Sequence, residues 1–186
     1  MNRPTAIFLN GTSSSGKTTL ATAFQDAMVS PALYVSNDKF IFMAPRHVLK
    51  NDSVRPSVLL PLLSAFHQSL PIIARCGFPM IIDHVIEKKD WMDEIALALK
   101  DVPTFFVKVT CPLEELERRE IARGDRQIGF ARMQSTLVHG FCDYDAEVDT
   151  YHQSITQNVA ILKGLLESGR EPVALDRYRG KLAHES

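Results

Sequence analysis

The sequence predicts an α/β fold built on a buried parallel sheet, and three observations predict it. The first is Gly11-Thr12-Ser13-Ser14-Ser15-Gly16-Lys17-Thr18, a G-x-x-x-x-G-K-[ST] phosphate-binding loop. It lies between an apolar run, Ala6-Ile7-Phe8-Leu9, and a helical pattern through Leu20, Ala21, Ala23, Phe24, Ala27 and Met28. The second is Phe78-Pro79-Met80-Ile81-Ile82-Asp83, whose unbroken apolar stretch fits a strand covered on both faces. The third is the alternation of strand-like and helix-like stretches along most of the chain. At 186 residues the chain is long enough for one α/β domain with a sizeable core.

The balance of 21 basic against 22 acidic residues leaves a net charge of −1, which gives no footprint for nucleic acid. No apolar run reads as long enough for a membrane span. The first residues run straight into a strand, so no signal peptide is expected and the expected location is cytoplasmic. Cys76, Cys111 and Cys142 are widely spaced and fit reduced thiols better than a metal site or a disulfide framework.

In chain order, Leu33-Tyr34-Val35-Ser36 reads as a second strand ending at Asn37-Asp38. Ligands sit outside the carboxyl ends of strands in open α/β sheets, which places Asp38 on the functional edge. Asp38 also suits the N-cap of a helix over 39–43, and the two roles are compatible. Residues 44–55, punctuated by Pro45, Asn51-Asp52-Ser53 and Pro56, read as loop. A helix is expected over 57–75, with Pro61 in its first turn, Pro71 kinking or breaking it, His67 on its exposed side and Gly77 as its stop.

Asp83, ending the third strand, stands where an acidic group helps hold Mg²⁺ through water, or where a strand-end aspartate faces solvent. Its neighbour His84 reads as a satisfied polar residue rather than a ligand. A helix over 90–100, a strand over 104–109 and a helix opened by Cys111-Pro112 follow. A further helix over 130–138, an edge strand over 144–148 and a helix capped by Thr150 or Ser154 complete the pattern, leaving a polar tail over 170–186 with no evident task.

The chemistry of the loop is direct. Small residues let backbone N–H groups curl around a polyphosphate, and the following helix aims its positive end at the same anion. Lys17 reaches the outer phosphates and the Thr18 hydroxyl can ligate Mg²⁺. The second informative stretch runs over 118–129. Arg119 and Arg123 share one helix face, and Gly124 and Gly129 bracket a short loop holding Arg126. Such a segment, about 119–132, suits a lid closing over a triphosphate; the same residues also suit a surface helix with ordinary ion pairs to Glu115, Glu117 and Glu120.

The chain resembles the chloramphenicol phosphotransferase family of P-loop kinases. The resemblance rests on three blocks: residues 7–17, Asp38-Lys39-Phe40, and a stretch from Arg119 through Arg123-Gly124-Asp125-Arg126, His139 and Tyr144-Asp145 to Glu147-Val148-Asp149-Thr150. It implies a nucleotide-kinase-like P-loop NTPase fold, with a five-stranded parallel sheet in the order 2-3-1-4-5 and helices on both faces. It implies ATP-dependent transfer of the γ-phosphoryl group to a hydroxyl of a small molecule. The family's general base maps onto Asp38 and its lid arginine onto Arg126, with Arg119 and Arg123 in the same series. Mg·ATP would then sit on residues 11–18. The interval from Asp38 to Asp83 is shorter than in the family's drug-modifying member and matches it poorly, so the reaction class carries over better than the acceptor. Within the acceptor-side region, about 40–75, Phe40, Phe42 and Met43 line an apolar acceptor pocket or pack as helix core. Arg46, Lys50 and Arg55 keep a nucleoside, nucleotide or sugar-nucleotide kinase open as the second reading. A nucleotide-dependent switch is a third, for which no clear switch segment is seen.

Overall fold

The computed structural model describes residues 5–124, 129–141 and 143–185. The elements are β1 (Ala6–Asn10), α1 (Lys17–Asp26), β2 (Leu33–Ser36), α2 (Asn37–Ile41), α3 (Arg46–Leu49), α4 (Arg55–Ala74) and β3 (Met80–His84). They continue as α5 (Lys89–Ala98), β4 (Thr104–Thr110), α6 (Leu113–Arg123), α7 (Phe130–Ser135), β5 (Ala146–Asp149), α8 (Ile155–Glu167) and α9 (Ala174–Glu185).

The strands form one parallel sheet in the order β2-β3-β1-β4-β5. Because strand side chains alternate, β1 to β4 each feed two cores, while β5 feeds one. Ala6, Phe8, Met80, Ile82 and Phe106 pack with α4, α5 and α9 on one face. Ile7, Leu9, Ile81, Phe105, Val107, Val109 and Val148 pack with α1 and α8 on the other. The register pairs Leu9 with Asp83, Ser36 with Asp83 and Thr110 with Asp149, so the carboxyl ends of the strands come to a common edge. That edge carries the phosphate loop.

Several expectations are corrected here. Helix α4 runs unbroken through Pro61 and Pro71, and it is Pro56 that occupies the first turn. The missing N–H groups do not stop it, because Leu63, Phe66, Leu70 and Ala74 are buried from its middle onward and packing outweighs the local cost. This 20-residue helix holds an 18-residue stretch of mean hydropathy 1.5 and is long and apolar enough to cross a membrane, contrary to the sequence reading. Here it is a core helix against α2 and α5. His67 is fully buried on its inner side rather than exposed. The expected loop over 44–55 contains α3. Strand β5 begins at Ala146, and Asp145 instead accepts the N–H groups of Phe106, Val173 and Ala174. Helix α7 stops at Ser135 rather than 138. Ser154, not Thr150, caps α8, in a reciprocal pair with Gln157.

The polar tail also has a task. Helix α9 buries Ala174, Leu175 and Tyr178 against the α5 side of the sheet, and the Tyr178 hydroxyl donates to Asp93 at 2.5 Å. Leu175, Tyr178 and Leu182 recur at helical spacing within an otherwise charged stretch. Replacing Leu175 by Ala should lower the unfolding free energy by about 2–5 kcal/mol, read from urea denaturation; a change under about 0.5 kcal/mol would show that α9 is not part of the cooperative fold.

Candidate active site

The loop begins where β1 ends. A side chain at Gly11 would place a Cβ 2.6 Å from the Val109 carbonyl oxygen, so only glycine lets the chain leave the sheet beside β4. Gly16 turns into α1 at φ +87°, and Ser14 also adopts a positive φ of 62°. The turn carries the chain into the N-terminus of α1 and its unpaired N–H groups.

Lys17 is buried and lies over the loop, donating to the carbonyls of Gly11 at 2.8 Å and Thr12 at 2.7 Å and to Ser15 Oγ at 3.4 Å. Its Nζ is 4.0 Å from Asp83 Oδ1. Asp83, also buried, accepts from the Thr18 hydroxyl at 2.8 Å and the Tyr34 hydroxyl at 3.1 Å, both on Oδ2. Burial, and then the adjacent Asp83 carboxylate, push the Tyr34 phenol up to about 12, so it stays protonated and donates. Among the described residues no cluster of three or more His, Cys, Asp or Glu side chains forms a metal site. Thr18 and Asp83 together offer only hard oxygen donors. The threonine's proton points at Asp83, leaving its lone pairs for a ligand, which is the set that suits Mg²⁺ shared with phosphate oxygens.

A cleft of about 520 Å³ opens over the loop. Asn37, Asp38, Asp83 and Val85 wall one end. Asp38 stands in the first turn of α2, whose N-cap is Ser36: the Ser36 hydroxyl accepts the Asp38 N–H at 3.3 Å. The capping role thus falls to the serine, and Asp38 is in the cleft wall.

Helix α6 walls the other side with Arg118, Arg119, Ala122 and Arg123. Glu115 holds Arg118 at 2.6 Å and Arg119 at 2.7 Å, and the two guanidinium groups hold its carboxyl down to about 2. Arg119 also donates to Thr150 Oγ1 at 3.3 Å and to the Thr150 carbonyl at 3.1 Å. The Thr150 hydroxyl donates to the Ser15 carbonyl at 2.6 Å, so β5 and the phosphate loop fix this arginine from below. Of the ion pairs foreseen as an ordinary surface pattern, those to Glu115 are found and orient Arg119 at the cleft, whereas Glu117 pairs with Arg132 and Glu120 is buried. Arg126 lies outside the described residues. The described ends of its loop are held by the buried Glu120, which accepts the N–H of Gly129 at 2.8 Å and of Ala131 at 2.9 Å.

Phe40, Phe42 and Met43 do not wall this cleft. Phe40 packs edge-on against Phe66 at 5.3 Å, which is helix-core packing, while Phe42 and Met43 are 63 % and 67 % exposed.

Sequence reasoning missed Gln134, Tyr34 and the histidine pair. Buried Gln134 accepts the Ser13 N–H at 2.6 Å and donates to Glu87. The partners lie 121 and 47 positions apart, so no local signal marks them. His67 Nδ1 bonds Glu94 at 2.6 Å, and its Nε2 meets His84 Nε2 at 3.1 Å. Among the described residues His84 Nδ1 has no partner, so the satisfied state expected of His84 holds for Nε2 alone.

The strand order and the loop's seat at the centre of that edge make this a P-loop protein of the kinase class. The family model for chloramphenicol phosphotransferase-like proteins matches residues 5–167, and the chain belongs to that family. Two Mycobacterium tuberculosis relatives, each named "Putative O-phosphotransferase", are 30 % identical over 93 % of this chain and 87 % of their own. Among solved structures, the M. tuberculosis APS kinase CysC in complex with AMPPNP and APS aligns with a TM-score of 0.66 at 19 % identity, over 89 % of this chain and 98 % of its own. Shikimate kinase from Acinetobacter baumannii, in complex with shikimate, aligns with a TM-score of 0.63 at 12 % identity, over 90 % and 95 %. At such identities these two structures speak for the fold. Family and relatives together support a phosphotransferase.

Burial lowers the pKa of His67 and His84, and of His139 to about 4, below the ordinary 6.5. The unfolded chain takes up protons that the native state refuses. Their contribution is therefore intact above about pH 6.5 and is lost as pH falls below that value, for His139 toward about 4. Urea midpoints should drop between about pH 7.5 and 5, and less steeply in His139→Gln; a flat profile in the unmodified protein would contradict this.

Proposed function

We propose that the protein is an ATP-dependent phosphotransferase that moves the γ-phosphoryl group to a hydroxyl of a small molecule, within a single kinase domain. The observation that carries this reading is the meeting, in one cleft, of the phosphate loop, the Thr18–Asp83 pair and the Asp38 carboxylate. The loop N–H groups and the α1 N-terminus receive the polyphosphate. Lys17 exchanges its bonds to the Gly11 and Thr12 carbonyls for the outer phosphates. Thr18 and Asp83 would hold Mg²⁺, which would supply positive charge to the phosphates when bound. Asp38 orients the acceptor hydroxyl and takes its proton as the oxygen attacks the γ-phosphorus. The bond from γ-phosphorus to the β–γ bridging oxygen breaks, and ADP leaves. Arg119 and Arg123 border the nucleotide, and Arg126 supplies the lid charge that meets the transferred group.

The basic residues that would favour a phosphorylated acceptor, Arg46, Lys50 and Arg55, do not border the cleft. A nucleotide or sugar-nucleotide kinase is accordingly the second reading, and an acceptor without phosphate the first.

A screen of hydroxylated metabolites and antibiotics for ADP release should find an acceptor whose turnover Asp38→Asn abolishes while nucleotide binding persists. Full-rate transfer by that variant would remove Asp38 from the chemistry. Arg126→Ala should lower kcat by roughly 10³-fold or more with ATP affinity little changed; near-normal kcat would exclude this arginine.

A further inference from the structure

Tyr34 is the feature at this site that the proposed chemistry leaves unused. It lies on β2, two residues before Ser36, which pairs in register with Asp83. Residues two apart on a strand share a face, so Tyr34, Ser36 and Asp83 all turn toward the α1 side of the sheet. There the Tyr34 ring packs against the core under α1. Its hydroxyl reaches Asp83 Oδ2 at 3.1 Å, the same oxygen that accepts from Thr18 at 2.8 Å. Lys39 covers the ring, with Nζ 4.5 Å from its centroid, and donates to the Tyr34 carbonyl at 3.4 Å.

A strand-end carboxylate is free to swing about its terminal torsion, which is broad and roughly two-fold. Two donors converging on one oxygen remove that freedom. With Oδ2 occupied by two hydroxyls, Oδ1 is the oxygen turned to Lys17, 4.0 Å away, and the one that carries neither hydroxyl. Thr18 by itself is a weaker lock, since the residue is exposed at the mouth of the cleft. The tyrosine is half-buried on a rigid strand and is held by packing on one side and by Lys39 on the other.

We infer that Tyr34 is a positioning residue for the metal-holding carboxylate, its hydroxyl fixing Asp83 so that Oδ1 is presented to the cation that accompanies the nucleotide. The inference rests on the nucleotide-binding reading above. It also gives β2 two roles at one site, since the same strand ends at Ser36 and delivers Asp38 to the cleft.

The test is calorimetric binding of ADP to the full chain, once with excess Mg²⁺ and once with EDTA, which needs no acceptor and no turnover. Tyr34→Phe removes one oxygen and keeps the packed ring. It should weaken Mg·ADP binding about tenfold, the scale of losing an outer-sphere partner of a metal ligand, and raise half-saturating Mg²⁺ alike. Binding of metal-free ADP should stay within about twofold, which a merely structural role would not ensure. In an Asp83→Asn background the same Tyr34→Phe change should have no further effect, because the group it positions is gone. Unchanged Mg·ADP binding in Tyr34→Phe, equal weakening of both forms, or full additivity with Asp83→Asn would each overturn the inference. If Tyr34→Phe melts early, the Asp83→Asn protein, with the tyrosine intact, decides: undiminished preference for Mg·ADP over ADP there would equally overturn it. Should the unmodified protein bind neither form, the nucleotide-binding reading itself fails, a result separate from these.

Discussion

Pairing of β1 with both β3 and β4 holds the centre of the molecule and sets the position of everything chemical in it. The strand is buried throughout, and at its end the chain passes so close to the Val109 carbonyl that a Cβ at Gly11 would stand 2.6 Å from it. The phosphate loop is therefore a consequence of sheet geometry as much as of its own sequence. Moving β1 against either neighbour by one residue would turn its side chains to the opposite core and carry the loop away from Asp83.

Around this fixed centre the groups of the candidate site arrive from different strands. Asp83 comes from β3, Asp38 from the turn after β2, and Thr150 from the turn after β5. Each stands at a carboxyl end, so parallel alignment brings them together without special loops. The electrostatics then follow. Lys17, buried beside Asp83, is a charge pair with little water access, and loop carbonyls satisfy its remaining donors. On the far wall, Glu115 orients Arg118 and Arg119 toward the cleft while its own carboxyl is held low.

The α4–α5 side carries a different polar arrangement. His67 and His84 meet at 3.1 Å inside an aromatic setting of Phe66, Phe8 and Trp91. Burial lowers the pKa of both rings, although Glu94 at one end opposes this for His67, and the pair is therefore a source of acid sensitivity.

The sequence by itself determined the α/β class, the phosphate loop and the edge on which Asp38 and Asp83 stand, because these follow from local patterns: a fixed motif, apolar runs and strand ends. The resemblance added the strand order. Only the tertiary structure decided which side chains complete the site. Tyr34 meets Asp83 across 49 positions, Thr150 meets Ser15 across 135, and Gln134 meets Ser13 across 121; no periodicity in the chain encodes such pairs. The structure also decided what local rules misjudged. Helix α4 survives two internal prolines, and α9 orders a polar tail, because burial against the sheet outweighs propensity. Phe40 joins the core rather than a pocket for the same reason: once Phe66 lies within packing distance, apolar contact and not sequence position sets where the ring goes.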